Sequence, residues 1–401
     1  MKKWAVFFII IMLIMLTSCH NTQNFDYSKY PYYIEDTDSI LYEGFSVETM
    51  MIPYWKGNVI YNETVLMLDN NEYIGGKLLI SPVKIISVRD DTLEIEYKQG
   101  KDYTIQGNKI IRMENSSIPY ITQDNLKGIN VSEGYRQVST IANVLTDYVM
   151  WGELMYTESP LIYGHYVNVS YVYDLKEIDS DLNIFSGYSD LNLKNIISKL
   201  QNKQNINLTV IGDSISEGCS SSLKFNHKPF LPPYAEQVKK GLESFYNIDV
   251  NLTNLSKGGE KSAWAAQGAQ INRIIETDPD LLIIGFGMND ATANVIASKF
   301  YNNIESIIYN AKDACPDCSF LILHSYPPNP MYALYDKFYD YIERLQNIVS
   351  DNIAVVDMFK VGEYMLKTKR YQDISANNVN HPNDFFMRIY AMNILSALIN
   401  Y

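Results

Sequence analysis

The second half of the chain alternates two apolar patterns, and that alternation limits its fold more than any other feature. Near-continuous apolar runs, "LTVIG", "DVNLTNL", "LLIIGFG", "FLILHSY" and "IAVVDMF", recur there. Between them lie segments with apolar residues at helical spacing, and a last one, "DFFMRIYAMNILSALIN", closes the chain. A strand that is apolar on both faces has to be covered on both faces. Strands of that kind, alternating with helices, build a parallel sheet flanked by helices on each side. Such α/β sheets place reactive groups beyond the carboxyl ends of their strands.

The strand ends carry unusual residues. The first run passes into Gly212-Asp213-Ser214 within "NLTVIGDSISEGCS". The second leads to "NLSKGGEKSAW", with Asn254, Gly258 and Gly259, and the third to Gly287-Met288-Asn289-Asp290. Beyond the fifth comes "NNVNHPND", with His381 ahead of the terminal helix. Acyl transfer needs a nucleophile, a base, and donors for the oxyanion that develops on the carbonyl oxygen. A serine, a histidine, a glycine that lets backbone approach without a Cβ, and a neutral asparagine amide can supply them.

These four blocks, in this order and on these elements, resemble the SGNH hydrolases, the GDSL family of esterases and lipases, over roughly residues 205–401. The resemblance implies a flavodoxin-like five-stranded parallel sheet with helices on both faces. It also implies that Ser214 is the nucleophile and His381 the base. The oxyanion hole would combine the backbone N–H groups of Ser214 and Gly259 with the Asn289 side chain. The family pattern ends Asp-x-x-His, and here the sequence departs from it, because the residue three before His381 is Asn378. The expectation is therefore a Ser214–His381 dyad. His381 would be oriented by a neutral acceptor, Asn378 or a backbone carbonyl of its loop, with Asp373 as the alternative acid.

The first half has a different texture. Short runs such as "TVLMLD", "KLLIS", "KIISVR", "LEIEY" and "YTIQ" are split by turn residues in "DNNEYIGG", "RDD" and "KQGKD". "HYVNVSYVYD" alternates polar and apolar residues like a half-buried strand. This spacing predicts an all-β sandwich domain. The expected layout is a signal peptide over 1–18, a tether over 19–35, the β-sandwich over 36–190 and the hydrolase domain over 200–401. The start, "MKKWAVFFIIIMLIMLTSC", has a positive n-region and a short apolar run. That run has signal-peptide proportions. Leu16-Thr17-Ser18-Cys19 resembles a bacterial lipobox, which implies diacylation of Cys19, export, and attachment to the cell-envelope membrane.

A formal charge of −13 disfavours nucleic acid as a partner, since phosphates would be repelled. Cys315 and Cys318 form a lone C-x-x-C, a local disulfide or two inert thiols, with Cys219 unpaired. Nothing calls for a metal or an organic cofactor. A β-sandwich ahead of an SGNH domain resembles bacterial esterases that remove acetyl groups from polysaccharides, so the expected substrate is an acetylated glycan. Trp264 would stack on a sugar or pack in the helix it opens; His227 would touch substrate or sit in a solvated loop. Two other readings stand beside this one. One is a lipase or thioesterase acting on longer acyl chains, which the small, polar loops disfavour. The other is a glycan-binding lipoprotein without catalysis.

Overall fold

The computed structural model describes residues 50–178 and 184–401. Cys19, the signal segment and the tether lie outside the described residues. Five parallel strands form the sheet of the second half: β12 (Ile206–Gly212), β13 (Val250–Asn254), β14 (Leu281–Phe286), β15 (Ser319–His324) and β16 (Ile353–Asp357). Their order is β13-β12-β14-β15-β16. β14 and β15 are buried at every position, as their apolar runs require. The helices Tyr234–Tyr246, Ala297–Ala314 and Asp384–Leu398 are among those that cover the sheet. The segment "SDLNLKNIISKLQNKQNIN" contains a helix of its own, Lys194–Gln201, which buries Ile196, Ile197 and Leu200. Because β12 pairs with β13 on one side and β14 on the other, connections leave it in opposite directions. The crevice beyond such a strand is where ligands bind in open α/β sheets.

Among the described residues the first half is β-rich, with three sheets. Three antiparallel strands run in the order β1 (Val59–Leu66), β11 (Tyr166–Val172), β4 (Lys84–Asp90). A five-stranded sheet holds β5 (Tyr103–Gln106), β6 (Lys109–Arg112), β3 (Ile74–Lys77), β2 (Leu68–Asp69) and β7 (Ile121–Thr122) in that order. β10 (Leu154–Thr157), β9 (Asp147–Trp151) and β8 (Arg136–Gln137) make the third. β11 departs from the half-buried strand its alternation predicts, because it is buried along nearly its whole length. It is the central strand of its sheet, and its polar residues have partners. Ser170 Oγ donates to Asn62 Oδ1, and Asn168 Nδ2 donates to the Asp90 carbonyl.

One apolar cluster runs through both halves, joining Val65, Val88, Val169 and Tyr171 to Leu208, Phe338 and Phe386. Polar ties cross the same boundary. Lys369, fully buried, pairs with fully buried Glu63 and donates to the Thr64 and Lys77 carbonyls. The other Glu63 oxygen accepts from the Tyr171 hydroxyl, Arg388 donates to the Tyr61 carbonyl, and Tyr166 donates to the Ser375 carbonyl. Cys315 and Cys318 are free thiols, both buried. Burial raises both of their pKa values.

Candidate active site

Gly212 ends β12 where no side chain fits: a Cβ there would stand 2.4 Å from the Gly285 carbonyl oxygen and 2.3 Å from Ser216 Oγ. The chain then turns into the short helix Ser214–Glu217, capped by Asp213, whose Oδ1 accepts the Ile215 N–H at 3.0 Å. Burial, with the nearby Asp290 carboxylate, pushes the Asp213 carboxyl up to about 7. Ser214 is thereby set on the first helical residue, where its backbone N–H needs no intrahelical partner.

The loop after β13 lies alongside. Leu255 N–H donates to the Val210 carbonyl and Lys257 N–H to that of Gly212. Asn254 Nδ2 donates to the Ser216 carbonyl. The Gly258 amide is held by Glu217 Oε2 at 2.6 Å, whereas the Gly259 amide makes no hydrogen bond among the described residues. Gly259 has φ +78°, a left-handed conformation that favours glycine, and the space a Cβ would take there is open. Asp290 fastens the end of this loop by accepting from the Ser262 N–H and hydroxyl. Its neighbour Asn289 donates one amide hydrogen to the Glu260 carbonyl at 2.9 Å, which leaves the second hydrogen of that –NH₂ to point elsewhere.

His381 is carried by the loop between Ser375 and Pro382, which pair as an isolated bridge. Asn377 organises that loop: its Oδ1 accepts the N–H groups of Val379, Asn380 and His381. Asn383 caps the terminal helix through the Phe386 N–H. The asparagine run is thus a framework for the histidine. His381 Nε2 lies 3.0 Å from Ser214 Oγ.

On the other side of the ring the structure corrects the expected dyad. Asn378 adopts φ +65° and faces away: its Nδ2 donates to the Met155 carbonyl, and its oxygen accepts from Gln372 Nε2. Asp373 is committed to backbone, accepting from the Leu66 and Arg370 N–H groups. Neither orients the histidine. The carboxylate that does so is Glu158, from the β-rich half, with Oε1 3.3 Å from His381 Nδ1. Ser220 stands between them, its hydroxyl 2.9 Å from Nδ1 and donating to Glu158 Oε1 at 3.3 Å. With Nδ1–H directed at Ser220 and Glu158, Nε2 is left to accept from the Ser214 hydroxyl. Ser220 holds φ +67°, a conformation that costs a non-glycine residue roughly 1–3 kcal/mol and persists only where the surroundings fix it.

Glu158 is placed by the end of β10. Thr157 donates to the Asp147 carbonyl, Ser159 caps the helix Pro160–Tyr163, and the Thr157 N–H reaches the Asn377 carbonyl of the histidine loop. No local signal marks it: "TESP" reads as a helix start, and Ser220 reads as one more small loop residue. The lack of an acid three residues before His381 is the one pointer to a distant one. The two suggested substrate contacts have other partners. Trp264 packs partly buried against the core with Lys257 Nζ 6.0 Å from its ring. His227 pairs with Asp91 at 3.0 Å and leans on Tyr163, lining a cavity of about 70 Å³ between the two halves.

A serine-bearing turn stands at the switch point of the β13-β12-β14-β15-β16 sheet, faced by a late histidine, an arrangement that can serve acyl transfer. More particularly, residues 210–389 match the model of the GDSL-like Lipase/Acylhydrolase family. A two-domain esterase active on acetylated mannans, co-crystallized with mannopentaose, is similar at 20% identity. That match covers 53% of each chain with a TM-score of 0.42, so this chain spans about half the length of that esterase. An acetyl-xylooligosaccharide esterase from Geobacillus Stearmophilus is 18% identical over 49% of this chain and 95% of its own, with a TM-score of 0.40. A lipase from a goat rumen metagenome is 17% identical over 48% of this chain and 96% of its own, with a TM-score of 0.39. No curated protein matches the chain.

Proposed function

We propose that the protein is a lipid-anchored serine esterase that removes acetyl groups from a polysaccharide. The observation that carries the reading is the line Ser214–His381–Glu158. His381 Nε2 is 3.0 Å from the Ser214 hydroxyl and Nδ1 is 3.3 Å from the Glu158 carboxylate. Ser214 Oγ attacks the ester carbonyl carbon while its proton passes to His381 Nε2. The Ser214 and Gly259 amides and the free hydrogen of the Asn289 amide receive the oxyanion. On collapse the imidazolium gives that proton to the leaving alcohol, and the acyl group stays on Ser214. Water, deprotonated by the same histidine, then releases the acid and restores the serine. Glu158 stabilises the imidazolium in both halves of the cycle.

The substrate assignment rests on the β-rich half, which is bolted to the hydrolase domain and supplies part of its site, and on the small, polar loops above the sheet. The anchor rests on the Leu16–Cys19 lipobox resemblance. The tether would then hold both domains above the membrane, facing a polymer. Ser214→Ala should abolish turnover of p-nitrophenyl acetate with the fold intact, and a fluorophosphonate should label Ser214. Retained activity in that variant refutes the mechanism. Better turnover of p-nitrophenyl decanoate than of the acetate refutes the acetyl preference. An unmodified Cys19 in the mature N-terminal peptide, read by mass spectrometry, refutes the anchor.

A further inference from the structure

Three aromatic rings stack near the acid side of this site. Trp151 ends β9 and Tyr156 lies in β10. The pairings Trp151↔Leu154 and Val149↔Tyr156 put Trp151 and Tyr156 on one face of the hairpin. Their rings lie 5.3 Å apart and 13° from parallel. The third ring, Tyr332, comes from the loop after β15, at the same end of the parallel sheet as Ser214. It stacks on Trp151 at 5.6 Å and 22°. The wall is therefore built jointly by the β-rich half and the hydrolase domain.

The wall is continuous with the catalytic line. Tyr156 is two residues from Glu158, and burial followed by that carboxylate raises the phenol's pKa. Contacts then run from Tyr156 to Glu158, from Glu158 to His381, and from His381 to Ser214. A stack made only to join two domains would be covered. Trp151 instead keeps 46% of its surface exposed. Met331 and Leu334, which flank Tyr332 in its loop, are more exposed still. Exposed apolar side chains beside an ordered aromatic stack offer a contact site.

We infer that the Trp151–Tyr156–Tyr332 wall is a carbohydrate subsite. It would take the flat apolar face of a pyranose ring of the chain whose ester is cut at Ser214, and the inference rests on the glycan reading above. The chemistry favours a sugar over an acyl chain. A pyranose has a face of C–H groups edged by hydroxyls. The cluster offers the exposed aromatic surface of Trp151, while the Tyr156 hydroxyl is held by Glu158. A long acyl chain is better served by a closed aliphatic channel, and this wall is open. The hairpin then has two tasks: it holds the acid behind His381 and gives the polymer a place to rest.

The test compares two substrates in the full chain: chemically acetylated xylo- and manno-oligosaccharides, and p-nitrophenyl acetate, which is too small to span both places. Trp151→Ala should lower the ratio of kcat/KM on oligosaccharide to that on p-nitrophenyl acetate by about 3–10-fold, through KM. Tyr332→Ala should lower it less, and Trp151→Phe should restore most of it. In Ser214→Ala, titration with xylopentaose or mannopentaose should change the tryptophan fluorescence, and Trp151→Phe in that background should remove the change. If the parent cleaves acetylated oligosaccharides and the ratio does not move in Trp151→Ala, the subsite is overturned and the glycan reading stands. If the parent cleaves p-nitrophenyl acetate but no acetylated oligosaccharide, both fall. A loss in Trp151→Ala that appears on p-nitrophenyl decanoate and spares the oligosaccharide would make the wall an acyl rest, and that too overturns the inference.

Discussion

Replacing Glu158 by glutamine removes a charge and little else, so it isolates what the carboxylate does. Its Oε1 stands 3.3 Å from His381 Nδ1. At an effective dielectric constant of 20, opposite unit charges at that distance attract by about 5 kcal/mol. The two side chains keep 12% and 15% of their surface exposed, and solvent screening at such a site takes away roughly half of that. About 2.5–3 kcal/mol remains for the imidazolium formed in the transition state, which corresponds to roughly a hundredfold in kcat. The loss should stay below the ~10⁴-fold known for removing the charge behind a triad histidine, because part of that loss is a wrong tautomer. Here Ser220 Oγ, 2.9 Å from Nδ1, still accepts the proton that keeps Nε2 free. The assay is steady-state hydrolysis of p-nitrophenyl acetate, with circular dichroism as the fold control. KM should change little, since Glu158 reaches the reacting atoms only through the ring. A loss in kcat under fivefold would refute the assignment. So would an equal loss in folded Asp373→Ala, because that carboxylate is bonded to the Leu66 and Arg370 amides.

Three more expectations follow from the same geometry. Asn289→Ala should raise the barrier by about 2.7–4 kcal/mol, as for other oxyanion donors; a kcat within twofold of the parent would remove it from that role. Lys369→Met leaves Glu63 buried and unpaired at the domain boundary, at a cost of about 3–5 kcal/mol in chemical denaturation. Adding Glu63→Gln should recover part of that loss, and full stability of the single variant would contradict it. Asp213 has its pKa raised to about 7 by burial, against an unfolded value of about 3.9. The folded state therefore binds the extra proton between those values, and stability falls as pH rises through that window, by on the order of 4 kcal/mol. Asp213→Asn keeps a capping oxygen for Ile215 and removes the buried charge, so it should match the parent near pH 4 and melt higher at pH 8; a lower melting temperature at pH 8 would refute this.

The parts of the molecule that could be read from the sequence are those fixed by neighbours in the chain. The parallel sheet shows itself because each strand is buried on both faces, and only apolar residues survive that. Gly212 and Ser214 are recognisable because a close-packed strand end and a helix start leave a local mark. Contacts between distant segments leave none. Glu158 sits in what reads as an ordinary helix start, and its role exists only once β10 lies against the histidine loop. Counting back three residues from His381 leads to Asn378. Its left-handed backbone turns the side chain towards Met155, and spacing alone carries no information about that turn. β11 looks half-exposed because Asn168 and Ser170 are polar, and the partners that let Ser170 be buried and Asn168 half-buried lie on other strands.

Glu158 belongs to the β-rich half by chain position and to the Ser214–His381 line by geometry. The boundary between the two halves is therefore not a boundary between functions. A fragment cut at about residue 190 would keep Ser214, His381 and Asn289 but would leave the histidine without its acid. Exchanging the first half for another β-rich domain would exchange that acid as well.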